Sequence, residues 1–260
     1  MPKQPIGWET IGKKRVFFAD AHHEVLEGWY DIFVELGRKK VIIISFDYHT
    51  DCHKAFLRHA FWNVKGNRIA HPDDDEVERA IQKLISVIRL DTKSTIKDAI
   101  VHLKKDEHID CAIRIGIVNN CFLNLGRNRH GIRLPNVHVF SFDLCWPRCQ
   151  KPIHDDDCEL DKANLVIESK ILKPRVTTIE TAIGPLEESN LIIDIDLDIF
   201  NSKRAISATN ADAFKTLLKC ARAVTVARES GCVDELSLES SQGFNAVYLE
   251  AELRKIIQSV

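Results

Sequence analysis

Asp47, His49 and Asp51 stand at alternate positions directly after an apolar run, Val41-Ile-Ile-Ile-Ser-Phe46. A second apolar run, Leu191-Ile-Ile, leads into Asp194, Asp196 and Asp198, again at alternate positions. In an extended chain, residues two apart point to the same side. Asp47, His49 and Asp51 can therefore converge, as can Asp194 and Asp196. Four carboxylates gathered at one edge repel one another unless protons or a cation sit among them. Carboxylate with imidazole and no thiolate is the donor set of Mn²⁺ or a similar ion, with zinc next. Four Asp can bridge two ions, and an ion pair about 3.5–4 Å apart is a hydrolytic device. Asp-x-His-x-Asp after one strand is by itself often turn and capping chemistry. The second acidic series after another apolar run is what favours metal.

Such residues need strands that end along one edge. The pattern predicts strands at Arg15–Ala19, Val41–Phe46, Cys111–Ile117, Val137–Phe142, Leu191–Asp194 and Glu235–Leu238. It predicts helices at Glu24–Gly37, with Gly37 as C-cap, and at Asp74–Leu90, where Val77, Ile81, Leu84, Ile85 and Ile88 form one face. A third helix is expected over Ala211–Ser230, ended at Gly231. The strands at 41–46 and 191–193 are apolar throughout rather than alternating, as in parallel sheets covered on both faces. The expected fold class is therefore α/β: one three-layer α/β/α domain over residues 1–260, with a mostly parallel sheet and right-handed crossovers.

Ligands of open parallel sheets bind beyond the carboxyl ends of strands. Asp20, His22, His23 and Glu24 follow the first predicted strand there, Asp143 follows Val137–Phe142, and Glu239 follows the last. The segment Asp106-Glu-His-Ile-Asp110 precedes a predicted strand. It is expected at the opposite edge, as a helix-to-strand turn.

The bulk properties exclude several classes. A net charge of -2 and a pI near 6.6 carry no basic footprint for nucleic acid. Apolar runs of about six residues are far short of a membrane span. The N-terminal residues lack the apolar core of a secretory signal. Eight scattered cysteines are then expected as reduced thiols in a cytoplasmic protein. Cys145-x3-Cys149-x4-His154-x3-Cys158 could be a zinc knuckle, but its first gap is too long and it carries Pro147 and Pro152. An irregular loop within 143–165 is the preferred reading. The acidic stretch 73–76 suits a helix N-terminus, and 155–157 a solvated surface. Oligomeric state stays open.

Asp47-Tyr-His-Thr-Asp51 resembles the Asp-x-His-x-Asp signature of the arginase (ureohydrolase) superfamily, and Asp194-Ile-Asp196 its second, Asp-x-Asp signature. His22-His-Glu-Val-Leu26 and Asp-Ile-Asp-Leu-Asp198 look closer to one divergent branch, the peptide arginases. The likeness in order and spacing spans nearly the whole chain. It implies the ureohydrolase version of the three-layer fold with two Mn²⁺ ions. By that analogy one ion takes His22, Asp47, Asp51 and Asp194, and the other takes Asp47, His49, Asp194 and Asp196. The implied reaction is hydrolysis of arginine side chains in a ribosomally made precursor peptide, giving ornithine and urea through a hydroxide held between the ions. A small-molecule ureohydrolase of the agmatinase type, a zinc deacylase on the same fold and a non-catalytic interaction module are the competing readings.

Within that reading Asp51 accepts a proton and returns it to the leaving amine. Glu239 is the expected carboxylate for the guanidinium, as a bidentate partner, against the alternative of a surface Glu. His53, His59 and His108 are all candidates for a proton shuttle, and His59 is the one placed in the catalytic set. Ordinary arginases have a Gly-rich segment before the first His, where this chain has Ala19-Asp-Ala-His22. Choosing His22 over His23 thus rests on the His-x-Glu-Val-Leu pattern. Their second signature runs to Leu-Asp-Pro. Here it ends Leu197-Asp-Ile-Phe200, which leaves Asp198 either behind the ligands or a ligand by a shifted register. Cys52–Gly66 does not match the loop that grips free arginine's α-groups, as a peptide substrate would require.

Overall fold

The computed structural model describes residues 5–65, 74–125, 134–140, 164–238 and 243–260. In chain order its elements are β1 (Gly7–Ile11), β2 (Lys14–Ala19), α1 (Val25–Glu35), β3 (Val41–Asp47), α2 (Leu57–Lys65), α3 (Asp74–Ser86), α4 (Lys93–His102), α5 (His108–Arg114), β4 (Val118–Leu125) and β5 (Val137–Phe140). Then follow α6 (Ser169–Ile183), β6 (Leu191–Asp196), α7 (Lys203–Ile206), α8 (Asp212–Cys220), β7 (Ala223–Ala227), α9 (Ser230–Leu236) and α10 (Ala246–Gln258). The strands form one seven-stranded sheet in the order β1-β2-β7-β6-β3-β4-β5. Among the described strands only the β1–β2 pair is antiparallel, and the other pairings are parallel.

The apolar run of each central strand feeds two cores. Ile44 and Phe46 of β3, Ile193 and Ile195 of β6, and Val224 and Val226 of β7 pack with Leu172 of α6, Phe214 of α8 and Leu253 of α10. Ile43, Ile192, Ala223 and Ala227 face the other way, against Leu26 and Trp29 of α1, Ile96 of α4 and Ile109 of α5. This is the three-layer α/β/α arrangement with a mostly parallel sheet. Helix α1 lies close on the sheet: a Cβ on Gly28 would come within 2.9 Å of the Phe17 ring. Among the described residues, no helix is long and apolar enough to cross a membrane, and the described cysteines are free.

The structure corrects three predicted elements. Cys111–Ile117 is not a strand. His108–Arg114 is helix α5, with Arg114 Nε 2.7 Å from Asp110 Oδ2 one turn back, and Gly116 at φ 84° follows its end. The strand comes next, at Val118–Leu125, where three asparagines hide the apolar pattern. Ala211–Ser230 is not one helix: α8 ends at Cys220, and Ala223–Ala227 is β7, a central strand between β2 and β6. A short apolar run beside a helix cannot be separated from it by periodicity alone. Glu235–Leu238 is not a strand either, since α9 runs to Leu236 with Val233 buried. The first two helices end slightly earlier than expected, at Glu35 and Ser86.

Candidate metal centre

The candidate residues gather where β2, β3, β6 and β7 end side by side at their carboxyl termini. After β2 the chain makes a single turn over His22–Glu24. Glu24 Oε2 accepts from the backbone N–H groups of Asp20 and Ala21, both at 2.9 Å, and so shapes that turn. The turn buries His22 fully, while His23 is only partly buried.

Strand β3 ends at Asp47, earlier than a pleated run to Asp51 requires. His49 and Asp51 are brought back by the loop. The His49 N–H donates to Asp47 Oδ1 at 2.7 Å, and Asp51 takes a left-handed backbone, φ 45°. Non-glycine residues held there cost about 1–3 kcal/mol and concentrate at functional sites. Asp196 ends β6, and one further turn carries Asp198. Asp198 Oδ1 accepts from the Tyr48 N–H at 3.3 Å, and Asp196 Oδ1 from the Asp198 N–H at 3.2 Å.

His22, Asp47 and Asp196 bring one ligand atom each within 4.8 Å of one another, as do Asp47, His49 and Asp198. Asp47 belongs to both groups. A further group joins His22 and Asp51 to His108. His22 Nδ1 is 2.7 Å from Asp51 Oδ2 and 3.4 Å from both Asp47 Oδ2 and Asp196 Oδ2. His49 Nδ1 is 2.9 Å from Asp198 Oδ2.

Close as they are, His22 Nδ1, Asp47 Oδ2 and Asp198 Oδ2 are buried without an aligned hydrogen bond. Such atoms cost about 1–3 kcal/mol each when unsatisfied. Neighbouring ligands of one ion, with bonds near 2.1 Å, lie about 3 Å apart. The separations and the orphaned atoms therefore fit a divalent ion better than a hydrogen-bond network.

The charges point the same way. Burial, then the charge of Asp51, pushes the Asp47 carboxyl well above its usual range. Burial and Asp198 do the same to Asp196. Burial raises Asp51 against the pull of His22. Burial opposes the charged form of His22, but Asp194, Asp47 and Asp51 outweigh it and raise the imidazole well above normal. Two like charges 4 Å apart repel by about 4 kcal/mol at an effective dielectric of 20, so carboxylates gathered here call for protons or a cation among them.

The predicted site residues divide as follows. His22, Asp47, His49, Asp51 and Asp196 come together. Asp194, expected as a shared ligand, lies one pleat deeper, about 6.6 Å along the strand from Asp196, and falls outside these groups. Asp198 takes the corresponding place, as the shifted register allows. His59 sits on α2 with its ring 4.4 Å from that of His102, away from the cluster, and His53 is exposed beside Asp106.

His108 is the histidine that reaches the site. It starts α5, which descends from the carboxyl edge to the start of β4, so segment 106–110 lies at the site's edge and not the opposite one. Its ring centroid is 4.5 Å from that of His22, and Nδ1 is 4.0 Å from Asp51 Oδ2. Nδ1 is 3.1 Å from the Lys105 carbonyl, which can only accept, so the lone pair lies on the buried and unpartnered Nε2. Burial and neighbouring His22 hold this imidazole well below its normal pKa, hence neutral.

Glu239, the zinc-knuckle candidate Cys145–Cys158 and Asp143 lie outside the described residues. The late-strand carboxylate that the structure does describe is Glu229, just after β7. It forms a fourth close group with Asp198 and Cys232. Its Oε1 accepts from the His22 N–H at 3.1 Å, and Oε2 from Lys105 Nζ at 2.9 Å and Cys232 Sγ at 3.1 Å. Burial opposes ionisation, but those donors outweigh it and lower the Glu229 pKa. Sequence reasoning missed Glu229 because β7 was read as helix. The β-branched Ala-Val-Thr-Val-Ala before Arg228-Glu229 was the available signal. Two cavities among the described residues, of about 440 and 270 Å³, are lined by other residues: Ile206–Asp212 with the end of α10, and Phe56 with α3 and α4.

No family model matches the chain, and no curated protein matches it either.

Proposed function

We propose that this protein is a divalent-metal hydrolase that cleaves the guanidinium of arginine side chains within a peptide, releasing urea and leaving ornithine. The observation that supports this most is the double group of ligand atoms, His22–Asp47–Asp196 and Asp47–His49–Asp198, with Asp47 common to both and Asp51 against His22. The set fits two ions. Mn²⁺ suits carboxylate and imidazole donors, and these residues would hold it. Bound divalent ions supply the acidity that makes water a nucleophile at neutral pH.

The remaining work belongs to the chain. Water adds to the guanidinium carbon, a C–N bond breaks, and the leaving amine takes a proton. Asp51 is placed to accept the water's proton and return it to that amine. Neutral His108 beside it offers a second basic nitrogen, in the role first assigned to His59. Glu229 takes the part proposed for Glu239: it already holds one cation, Lys105, next to Asp198, and an ionised carboxylate can clasp a guanidinium. The unmatched segment after Asp51 supports a peptide substrate over free arginine.

The test is Mn²⁺-loaded protein incubated with arginine-containing peptides, read by urea release and a loss of CH2N2 per arginine in the peptide mass. Urea from free arginine or agmatine, with peptides untouched, would move the assignment to a small-molecule ureohydrolase. A single bound zinc with deacylation of acylated amines would replace it altogether.

A further inference from the structure

Asp194 lies in the middle of an apolar sheet, and its two neighbours across the strands are also polar. Ser45 of β3, Asp194 of β6 and Thr225 of β7 occupy one rung in register. All are buried. Ser45 Oγ donates to Asp194 Oδ2 at 2.9 Å, and Thr225 Oγ1 donates to Asp194 Oδ1 at 2.6 Å. Thr225 Oγ1 in turn accepts from Trp29 Nε1 of α1 at 3.1 Å. Among the described residues, the remaining partner of this carboxylate is His22 Nε2, 2.8 Å from Oδ2.

We infer that Asp194 is a positioning residue that holds His22 as the Nε2–H tautomer, so that the Nδ1 lone pair faces the metal groups. A metal-ligating imidazole is neutral and carries one N–H. Both His22 nitrogens look at carboxylates, Nε2 at Asp194 and Nδ1 at Asp47, Asp51 and Asp196. Only the Nε2 contact meets hydrogen-bond geometry; Nδ1 makes none. Ser45 and Thr225 fix the rotamer of Asp194, which leaves a carboxylate oxygen aimed at Nε2. With the proton there, Nδ1 and the three carboxylates are all acceptors, an arrangement that calls for a cation. A carboxylate behind a ligating histidine orients the ring and raises its basicity. A polar rung in a sheet that valine or isoleucine would fill more simply is explained by that role. The inference rests on reading the cluster as a metal centre and not on the reaction.

The experiment measures Mn²⁺ and Zn²⁺ affinity by calorimetry, and the His22 tautomer by ¹⁵N side-chain NMR of zinc-loaded protein, in wild type, Asp194→Asn, Asp194→Ala and Thr225→Val. Wild type should show the proton on Nε2. Asp194→Asn keeps an oxygen for His22 and Ser45 while Thr225 accepts from the amide; affinity should fall about ten-fold, and about a hundred-fold in Asp194→Ala. Thr225→Val, which loosens only the support, should weaken binding in the same direction. If Asp194→Ala does not fold, the Asn and Thr225 variants decide. Wild-type affinity in folded Asp194 variants, or a wild-type proton on Nδ1, overturns the inference. Metal binding that depends on Asp194 without any urea release would leave it standing and remove the arginine-hydrolase reading instead. A wild type that binds neither metal overturns both.

Discussion

His22 Nδ1 and Asp51 Oδ2 lie 2.7 Å apart in a fully buried site, yet they are not aligned as a hydrogen bond. His22 Nδ1 also lies 3.4 Å from carboxylate oxygens of Asp47 and Asp196. That relationship makes metal binding the first property to measure.

Mn²⁺ should raise the melting temperature of metal-free protein. A ligand at a hundred times its Kd adds about 2.7 kcal/mol, and each kcal/mol shifts a chain of this size by about 2–4 °C. Equilibrium dialysis should find two ions per chain. An unchanged melting temperature at millimolar Mn²⁺ would count against the centre.

Asp198→Asn should reduce the stoichiometry from two ions to one, because Asp198 is grouped with Asp47 and His49. Asp194→Asn should keep both ions, bound more weakly. Elemental analysis of the two variants separates the shifted register from the one the motif suggests; the reverse pattern would restore Asp194 as the ligand.

Asp51→Asn should lose activity more completely than it loses metal. Removing a positioned acid–base group lowers turnover about 10²–10⁴-fold, while His22, Asp47 and Asp196 remain to hold the ion. Turnover on a peptide substrate, compared with metal content, is the measurement. Equal activity would remove the proton role.

Glu229→Gln should raise the KM for an arginine peptide by about ten- to a hundred-fold, since a hydrogen bond to a charged group contributes about 1.5–3 kcal/mol. Metal content should change little. A KM that stays level while turnover collapses would make Glu229 a support for His22, whose N–H it accepts.

Glu78 gives a pH-dependent test remote from the centre. Hydrogen bonds from Gln82 and Arg114 hold its carboxyl down to about 2, against 4.5 for the free group, and tie α3 to α5. Its folded pKa is depressed, so its stabilisation is present above pH 4.5 and is lost as pH falls toward 2. Glu78→Gln should therefore melt below wild type at neutral pH and converge with it in acid. A difference that persists unchanged at the acid end would mean the contact acts through packing.

Much of the fold was legible in the chain. Val41–Ile44 and Leu191–Ile193 are apolar on both faces, as in a parallel sheet covered by helices on both sides. β7 was not legible. Ala223–Ala227 follows α8 after two residues, and its strand character comes from the neighbours β2 and β6 that pair with it. α5 was hidden for a similar reason: Cys111–Ile117 is as apolar as a strand, and its helical state is set by packing of Ile109, Cys111 and Ala112.

The sequence by itself determined which residue types could do chemistry, Asp and His in two short series, and which edge of the sheet they occupy, because both series follow the carboxyl ends of parallel strands. The tertiary structure decided the membership. Asp194 and Asp196 differ by one pleat, and no local pattern says which pleat reaches the edge; that depends on where β6 stands in register with Ser45 of β3 and Thr225 of β7. His108 and Glu229 entered for the same reason. Each is contributed by an element whose identity is fixed by long-range packing, and the distance between residues 22, 108 and 229 along the chain carries no trace of their contact in space.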